Sequence, residues 1–261
     1  MRSRQSDPAP SLFGEGDVAV VSPHLDDAVF SLGASIADLR AAGRSVKVVT
    51  VFAGVPESSA PPSPWDEQCG FASAAESAAT RREEDRRACA LLGVEPMWLS
   101  FDVRWPDGAT EALQDALEGA ATVLVPGFPC THRDHILAAR TVLTTRRPEV
   151  AVGLYVDQPY AMWRLLGREA TGRTRRENLL DVLLRRPATA ALQQPEVSPH
   201  LVDLVPAPPQ WLRLRRGRRA WLAKQRATLA YASQLRTFSR TMPVGIALYE
   251  RQWGGEGLAW V

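Results

Sequence analysis

The sequence predicts an α/β fold with a doubly wound, mostly parallel sheet and an elaborated C-terminal region. Three observations lead there. Apolar runs of strand length alternate with helical patterns through the first 156 residues, and glycines stand where several of those helices should stop. The third is size: 261 residues with 45% apolar content are enough for one full core.

Taken in order, residues 17–22 (DVAVVS) read as a buried strand, 27–43 as an amphipathic helix closed by Gly43, and 46–53 (VKVVTVFA) as a second buried strand. A Pro/Ser-rich loop covers about 54–75, followed by a helix at 77–92 ending at Gly93 and a strand at 96–101. A helix at 109–120, a strand at 121–127, a helix at 132–147 and a strand at 150–156 complete the regular part. Repeated βα units with short connections imply right-handed crossovers, hence a Rossmann-like sheet. After Pro159 the pattern fades into a helix at 174–186 and a Pro-punctuated stretch, then a helix at 217–236 and a last strand near 244–250 (VGIALYE). The expected organisation is a single domain over 1–261, with a core at about 15–165, a variable region at about 166–215 and a terminal helix and strand in 216–261.

Composition excludes several classes. No stretch approaches the about 20 apolar residues of a membrane span, and the polar start (MRSRQSDPAP) lacks the apolar segment of a signal peptide, so no membrane role and a cytoplasmic location are expected. Cys69, Cys89 and Cys130 form no C-x-x-C pair and imply neither disulfides nor a cysteine metal site. Of 31 basic residues, all but Lys47 and Lys224 are arginine, clustered at 173–186 and 213–219. Solvated helix faces explain such clusters, and without interleaved aromatic residues they do not indicate nucleic acid.

In doubly wound sheets ligands bind beyond the carboxyl ends of the strands. Both histidine-bearing motifs fall there: "SPHLDDAV" after the first strand and "PCTHRDHI" after the strand ending near Gly127. His24 and Asp27, three apart across a loop-to-helix junction, can converge on a metal, with His135 as third ligand and an open position for water. Asp26, turned by about 100° from Asp27, is placed to act as general base. His132, one turn before His135, can serve the oxyanion of a tetrahedral intermediate, and Asp134 can support a histidine. A lone Asp-Asp at a helix start is more often an N-cap, and a lone histidine there a hydrogen-bonding residue. The two motifs together weigh against that, because three of the four histidines gather with carboxylates at one sheet edge. His200, outside both motifs, reads as structural or exposed.

"SPHLDDAVFSLGA" resembles the (A/S)PHPDD motif of the LmbE-like, or PIG-L-like, N-acetylglucosaminyl deacetylases, and "HRDH" resembles their H-x-D-H motif. "RREEDRRACALLGV" is similar to a third segment, with Arg81 and Glu84 at matching positions. The resemblance, over about 17–160, implies a zinc-dependent hydrolase that takes an acyl group, usually acetyl, from the 2-amino group of a glucosamine-type sugar. It implies one Zn2+ held by His24, Asp27 and His135, Asp26 as catalytic base and His132 as oxyanion or acid residue. Either His132 or Asp26 protonates the leaving amine. Leu25 replaces the commoner proline, as in the antibiotic-tailoring branch, which favours a specialised-metabolite substrate. Arg81 is expected among the substrate-binding residues. Asp157 and Tyr160 match an acidic-x-Pro-Tyr segment that would line the sugar site, a surface turn being the alternative.

Two features bear on substrate. The 54–75 loop carries Trp65, which either stacks on a sugar as part of a lid or pins the loop to the core. Beyond the sugar, Arg173, Arg175, Arg176, Arg185 and Arg186 would suit a phosphate-bearing partner, whereas Trp163, Trp211 and Trp221 would suit an apolar aglycone, the preferred reading. A related amidase acting on a thiol-sugar conjugate and a non-catalytic sugar- or nucleotide-binding protein are the competing functions. The sequence leaves the oligomeric state open.

Overall fold

The computed structural model describes residues 12–57, 59–102, 105–166, 195–238 and 242–261. At its centre is one seven-stranded sheet of order β3-β2-β1-β4-β5-β7-β6. The strands are β1 (Asp17–Ser22), β2 (Val46–Thr50), β3 (Pro96–Trp98), β4 (Ala120–Phe128), β5 (Ala151–Val156), β6 (Trp211–Leu214) and β7 (Glu256–Trp260). β1 to β5 are mutually parallel, while β7 runs antiparallel to both β5 and β6. The mostly parallel α/β sheet predicted from the sequence is present. β1 pairs with β2 on one side and β4 on the other, so the strand order reverses between β1 and β4.

Helices cover both faces, which is why the central strands are apolar runs rather than alternating ones. Val18 and Val20 of β1 enter one core with α1 (Asp27–Ala41) and α3 (Ala74–Leu92); Ala19 and Val21 enter the other with α4 (Ala109–Ala116) and α5 (Arg133–Thr145). Successive strand residues point to opposite faces, so a single strand feeds both cores. No described helix is long and apolar enough to cross a membrane.

The remaining helices are α2 (Pro64–Gln68), α6 (Tyr160–Leu166), α7 (Arg218–Leu229), α8 (Ala232–Phe238) and α9 (Met242–Trp253). α1 departs from the amphipathic expectation: Asp27 to Ile36 is buried without interruption, because α7 packs against the face turned away from the sheet. The 54–75 loop contains α2, started by a capping box in which Ser63 and Asp66 satisfy each other's backbone N–H groups. The single helix expected at 217–236 is two, α7 and α8, separated at Tyr231; the Glu84 carboxylate takes both the N–H and the hydroxyl of Ser233 and so starts the second.

Residues 244–250, expected as the last strand, lie inside α9. Met242, Ile246, Tyr249 and Trp253 are buried at helical spacing, a period that outweighs the β-branched look of the segment. Gly254 and Gly255, both at positive φ, turn the chain into β7, and a Cβ at Gly255 would lie 2.4 Å from the Leu214 carbonyl oxygen. The expected helix at 174–186, with Arg173, Arg175, Arg176, Arg185 and Arg186, lies outside the described residues. In the second arginine cluster, Arg213 stacks on Trp253, Arg215 bonds the Gly254 carbonyl and Arg216 bonds Ser35 and Asp38, so these side chains serve the fold.

Candidate metal centre and active site

Where β1 ends, Ser22 Oγ donates to the His24 carbonyl at 2.6 Å and accepts the Ala28 N–H at 3.0 Å, bending Pro23–Asp26 into the start of α1. Asp26 occupies the N-cap position, yet its carboxylate makes no capping bond. Asp27 Oδ2 accepts the His24 N–H at 2.7 Å instead. Capping therefore does not account for the Asp26 carboxylate. Where β4 ends, His132 caps α5, its Nδ1 accepting the Asp134 N–H at 3.3 Å, and the first turn of α5 carries Asp134 and His135 toward the β1 loop.

Three donor atoms meet between these loops. His24 Nδ1 is 3.4 Å from Asp27 Oδ2, His135 Nε2 is 3.2 Å from the same oxygen, and the two nitrogens are 3.2 Å apart. The edge of a tetrahedron whose centre lies 2.0–2.2 Å from each corner is about 3.3–3.6 Å, the Zn–N and Zn–O range. The triangle thus has the dimensions of three ligands around one tetrahedral cation. The opposite nitrogen of each imidazole is taken: His24 Nε2–H donates to Asp134 Oδ2 at 3.0 Å and His135 Nδ1–H to Asp157 Oδ2 at 2.7 Å. Those carboxylates fix the tautomers and leave both inner nitrogens as lone-pair donors. His132 and Asp157 also bring a ligand atom within 4.8 Å of other members of the cluster. Asp157 Oδ2 is engaged behind His135, and His132 stands toward solvent, its side chain 43% exposed against 0% for His135.

Electrostatics separates the two adjacent aspartates. Burial and the neighbouring Asp27 charge push the Asp26 carboxyl up to about 7, with Arg81 pulling it back. Burial would also raise Asp27, but the charges and hydrogen bonds of His135 and His24 overcome it and hold Asp27 far below the ordinary carboxylate range. One carboxylate is a permanent anion; the other titrates near neutrality, where a general base is most useful. Burial and then the neighbouring histidines lower His132.

The six residues predicted from the two motifs, His24, Asp26, Asp27, His132, Asp134 and His135, come together at the strand-order reversal. Asp134, expected to support a histidine, bonds His24 and so orients it. Asp157 corrects its expectation. It is fully buried behind His135 and cannot line a sugar site, because the β5 end runs into the core at this point. Tyr160 lies edge-on to His135 with ring centroids 5.1 Å apart. Arg81 is half-buried on α3 and acts electrostatically on Asp26. Trp65 donates its indole N–H to Gln234 at 2.9 Å and packs on Phe238, fastening the α2 loop to α8. Trp211 packs on Phe128 and Trp221 is exposed on α7, so Trp163 alone of the three singled-out tryptophans adjoins the site, through Tyr160. His200 is exposed, its carbonyl taking Arg140.

Sequence reasoning missed Ser22, Ser31, Phe52 and Phe238. Ser31 Oγ accepts the Gln158 N–H at 3.0 Å and so ties α1 to the residue after Asp157. Phe52 follows β2 at the carboxyl edge, which the strand pattern alone could have flagged.

Fold and site together define an α/β domain with a candidate three-donor cation site at the strand-order reversal. Residues 19–145 match the family model PIG-L, described as GlcNAc-PI de-N-acetylase. Among solved structures the chain is similar to the A40926 pseudoaglycone deacetylase Dbv21, with 24% identity, TM-score 0.68 and coverage of 93% of this chain and 95% of that one. It is also similar to the N,N'-diacetylchitobiose deacetylase of Pyrococcus horikoshii, with 17% identity, TM-score 0.53 and coverage of 98% and 86%. GalB, the 4-carboxy-2-hydroxymuconate hydratase from Pseudomonas putida, shares the fold at 18% identity and TM-score 0.51, covering 91% and 84%. At these identities the likeness is one of fold. No curated protein matches the chain.

Proposed function

We propose that this chain is a zinc-dependent hydrolase that removes an N-acetyl group from the 2-amino group of a glucosamine-type sugar carried on a glycosylated metabolite. The triangle of His24 Nδ1, Asp27 Oδ2 and His135 Nε2 carries the reading, because its edges suit Zn2+ and it is open to solvent beside His132. The similar deacetylases, acting by their names on the A40926 pseudoaglycone and on N,N'-diacetylchitobiose, support the substrate class.

A zinc ion held there supplies Lewis acidity that polarises an amide carbonyl and acidifies a water. The chain's own residues do the rest. Asp26, titrating near neutrality, accepts a proton from the attacking water as the new C–O bond forms. His132, half-exposed at the mouth, donates from Nε2 to the carbonyl oxygen as charge develops on it; its Nδ1 is already occupied as acceptor by the Asp134 N–H. When the C–N bond breaks, the nitrogen takes a proton, returned by Asp26 or given by His132, and acetate and the free amine leave.

The test is metal content and acetate release together. Purified without chelator, the protein should carry about one zinc per chain and release acetate from an N-acetylglucosaminide; chelator should abolish release and zinc restore it. Asp26→Asn should keep the metal and lose about 10²–10⁴-fold in kcat. A metal-free protein, or a metal-loaded one inert on every N-acetyl amino sugar, sinks the reading.

A further inference from the structure

α7 buries one face and turns apolar side chains outward on the other. Its inward residues, Ala220, Lys224, Ala227 and Thr228, are buried, the helix packing on α1 and α3. Outward stand Trp221, Leu222 and Leu229, which are 41%, 36% and 59% exposed. Among the described residues eight large apolar side chains are exposed, and this one helix holds three of them. Leu222 and Leu229 are two turns apart and so share one line along the helix. Arg219 and Arg226 share a second line on one side of it, and Trp221 stands on the other side.

The charge around this face has one sign. Residues 204–249 contain eight arginines, one lysine and no aspartate or glutamate, in a chain with 29 acidic residues. Arg213, Arg215 and Arg216 serve the fold, as described above. Arg218, Arg219 and Arg226 do not: they are exposed and take no hydrogen-bond or ion-pair partner among the described residues. Acids on the helices packed against α7 are engaged elsewhere, Asp38 of α1 with Arg216 and Glu83 of α3 with both Arg86 and Arg87.

We propose that α7 is a docking helix for an anionic lipid surface. Its leucines and Trp221 enter the headgroup layer, and Arg218, Arg219 and Arg226 meet the lipid phosphates. An apolar crest flanked by arginines matches phosphate heads above acyl chains, and an indole suits that boundary. Two other occupants fit worse. A second copy of the chain, paired face to face about a two-fold axis, would set these arginines against their own images. Nucleic acid would use the arginines and leave the leucines in water. A helix of this kind lies on a bilayer without crossing it, so the lack of a membrane-spanning helix does not bear on it. The docking is independent of the deacetylase reading.

Co-sedimentation of the full chain with vesicles tests it. Binding to phosphatidylcholine vesicles containing phosphatidylglycerol should be about tenfold or more tighter than to phosphatidylcholine alone, and should weaken as salt rises. Arg219→Gln with Arg226→Gln should weaken it about 30-fold, and Leu222→Ser with Leu229→Ser about tenfold or more. All four side chains are exposed and none belongs to the metal site, so thermal melts, zinc content and acetate release from a free N-acetylglucosaminide should match the parent. No binding to the anionic vesicles would overturn the proposal. So would binding that the arginine variant loses and the leucine variant keeps, which would make the face a general polyanion site. A solution dimer of the parent that the leucine variant splits would assign the face to a second copy instead.

Discussion

Two clusters of buried charge lie against the same helix, and they are built on opposite plans. At the start of α1, two imidazole nitrogens and the Asp27 carboxylate face one another at 3.2–3.4 Å, with no lysine or arginine among them. Farther along α1, Lys224 is fully buried with its ammonium on Glu250, on Glu256 at 2.8 Å and on the Ser31 carbonyl at 3.2 Å. The Glu256 carboxylate in turn accepts the N–H groups of Ala34 and Ser35 at 2.9 and 2.8 Å. Here the chain brings its own cation, and each charge is compensated from within. Imidazoles that balance a carboxylate only by binding protons can give those protons up to a metal, whereas a carboxylate pair neutralised by a buried ammonium marks a fastening. Gly33 belongs to the second plan: a Cβ there would lie 3.0 Å from Lys224 Cγ.

Removing one member from each cluster should therefore give opposite results. His24→Ala and Asp27→Ala should each lose the metal and, with it, measurable deacetylation. The metal-free His24→Ala protein should melt within a few degrees of the metal-free parent, because the His24 side chain is partly exposed and His135 still faces Asp27. Metal analysis beside thermal melts checks both halves. If His24→Ala stayed metal-replete, the ligand assignment would be wrong.

Lys224→Met should do the reverse. It leaves Glu250 and Glu256 buried side by side without their ammonium, a kind of loss that costs about 3–5 kcal/mol. Urea titration should show the drop, while the fraction that remains folded keeps its metal and its turnover. A Lys224→Met protein as stable as the parent would show that the cluster is not a fastening.

The two plans also differ in how far the sequence discloses them. The cage is written in two short motifs, and the alternation of strands and helices is enough to put both at one edge of the sheet. Reading Asp157 as sugar-lining failed because its burial depends on how β5 ends against α1, a tertiary fact with no local signal. The fastening is illegible for a similar reason: Ser31, Lys224, Glu250 and Glu256 sit on four different elements and share no spacing. Misreading 244–250 as a strand then hid the helix that delivers Glu250. Trp65, Trp163 and Tyr160 could be singled out from the sequence, but Phe238, which packs on both tryptophans, could not, since it reaches them from a helix whose start is set by Glu84.

A smaller effect is expected behind the cage. Asp157→Asn keeps a hydrogen-bond acceptor for His135 but removes the charge that fixes its tautomer, and such outer partners typically carry 10–100-fold in metal affinity. Competition with a chelator of known affinity measures it; a change in folding stability alone would make Asp157 a packing residue.

The smallest effect tests the fastening through pH. Burial pushes the Glu250 carboxyl up to about 7 from its ordinary 4.5, Lys224 lowering it only in part and Glu256 raising it further. The folded protein thus binds a proton that the unfolded chain has released between those values. Stability from this group is fully present below about pH 4.5 and is lost as pH rises through about 7, the reverse of a salt-bridged carboxylate with a depressed pKa. The slope cannot exceed about 1.4 kcal/mol per pH unit for one proton. Glu250→Gln, neutral throughout and still able to accept from Lys224, should match the parent near pH 5 and lack its decline toward pH 8. Urea midpoints of parent and variant at unit steps of pH give the difference directly. Parallel curves would mean that Glu250 is ionised over the whole range, held so by an ammonium that outweighs its burial, and the fastening would then carry a net negative charge.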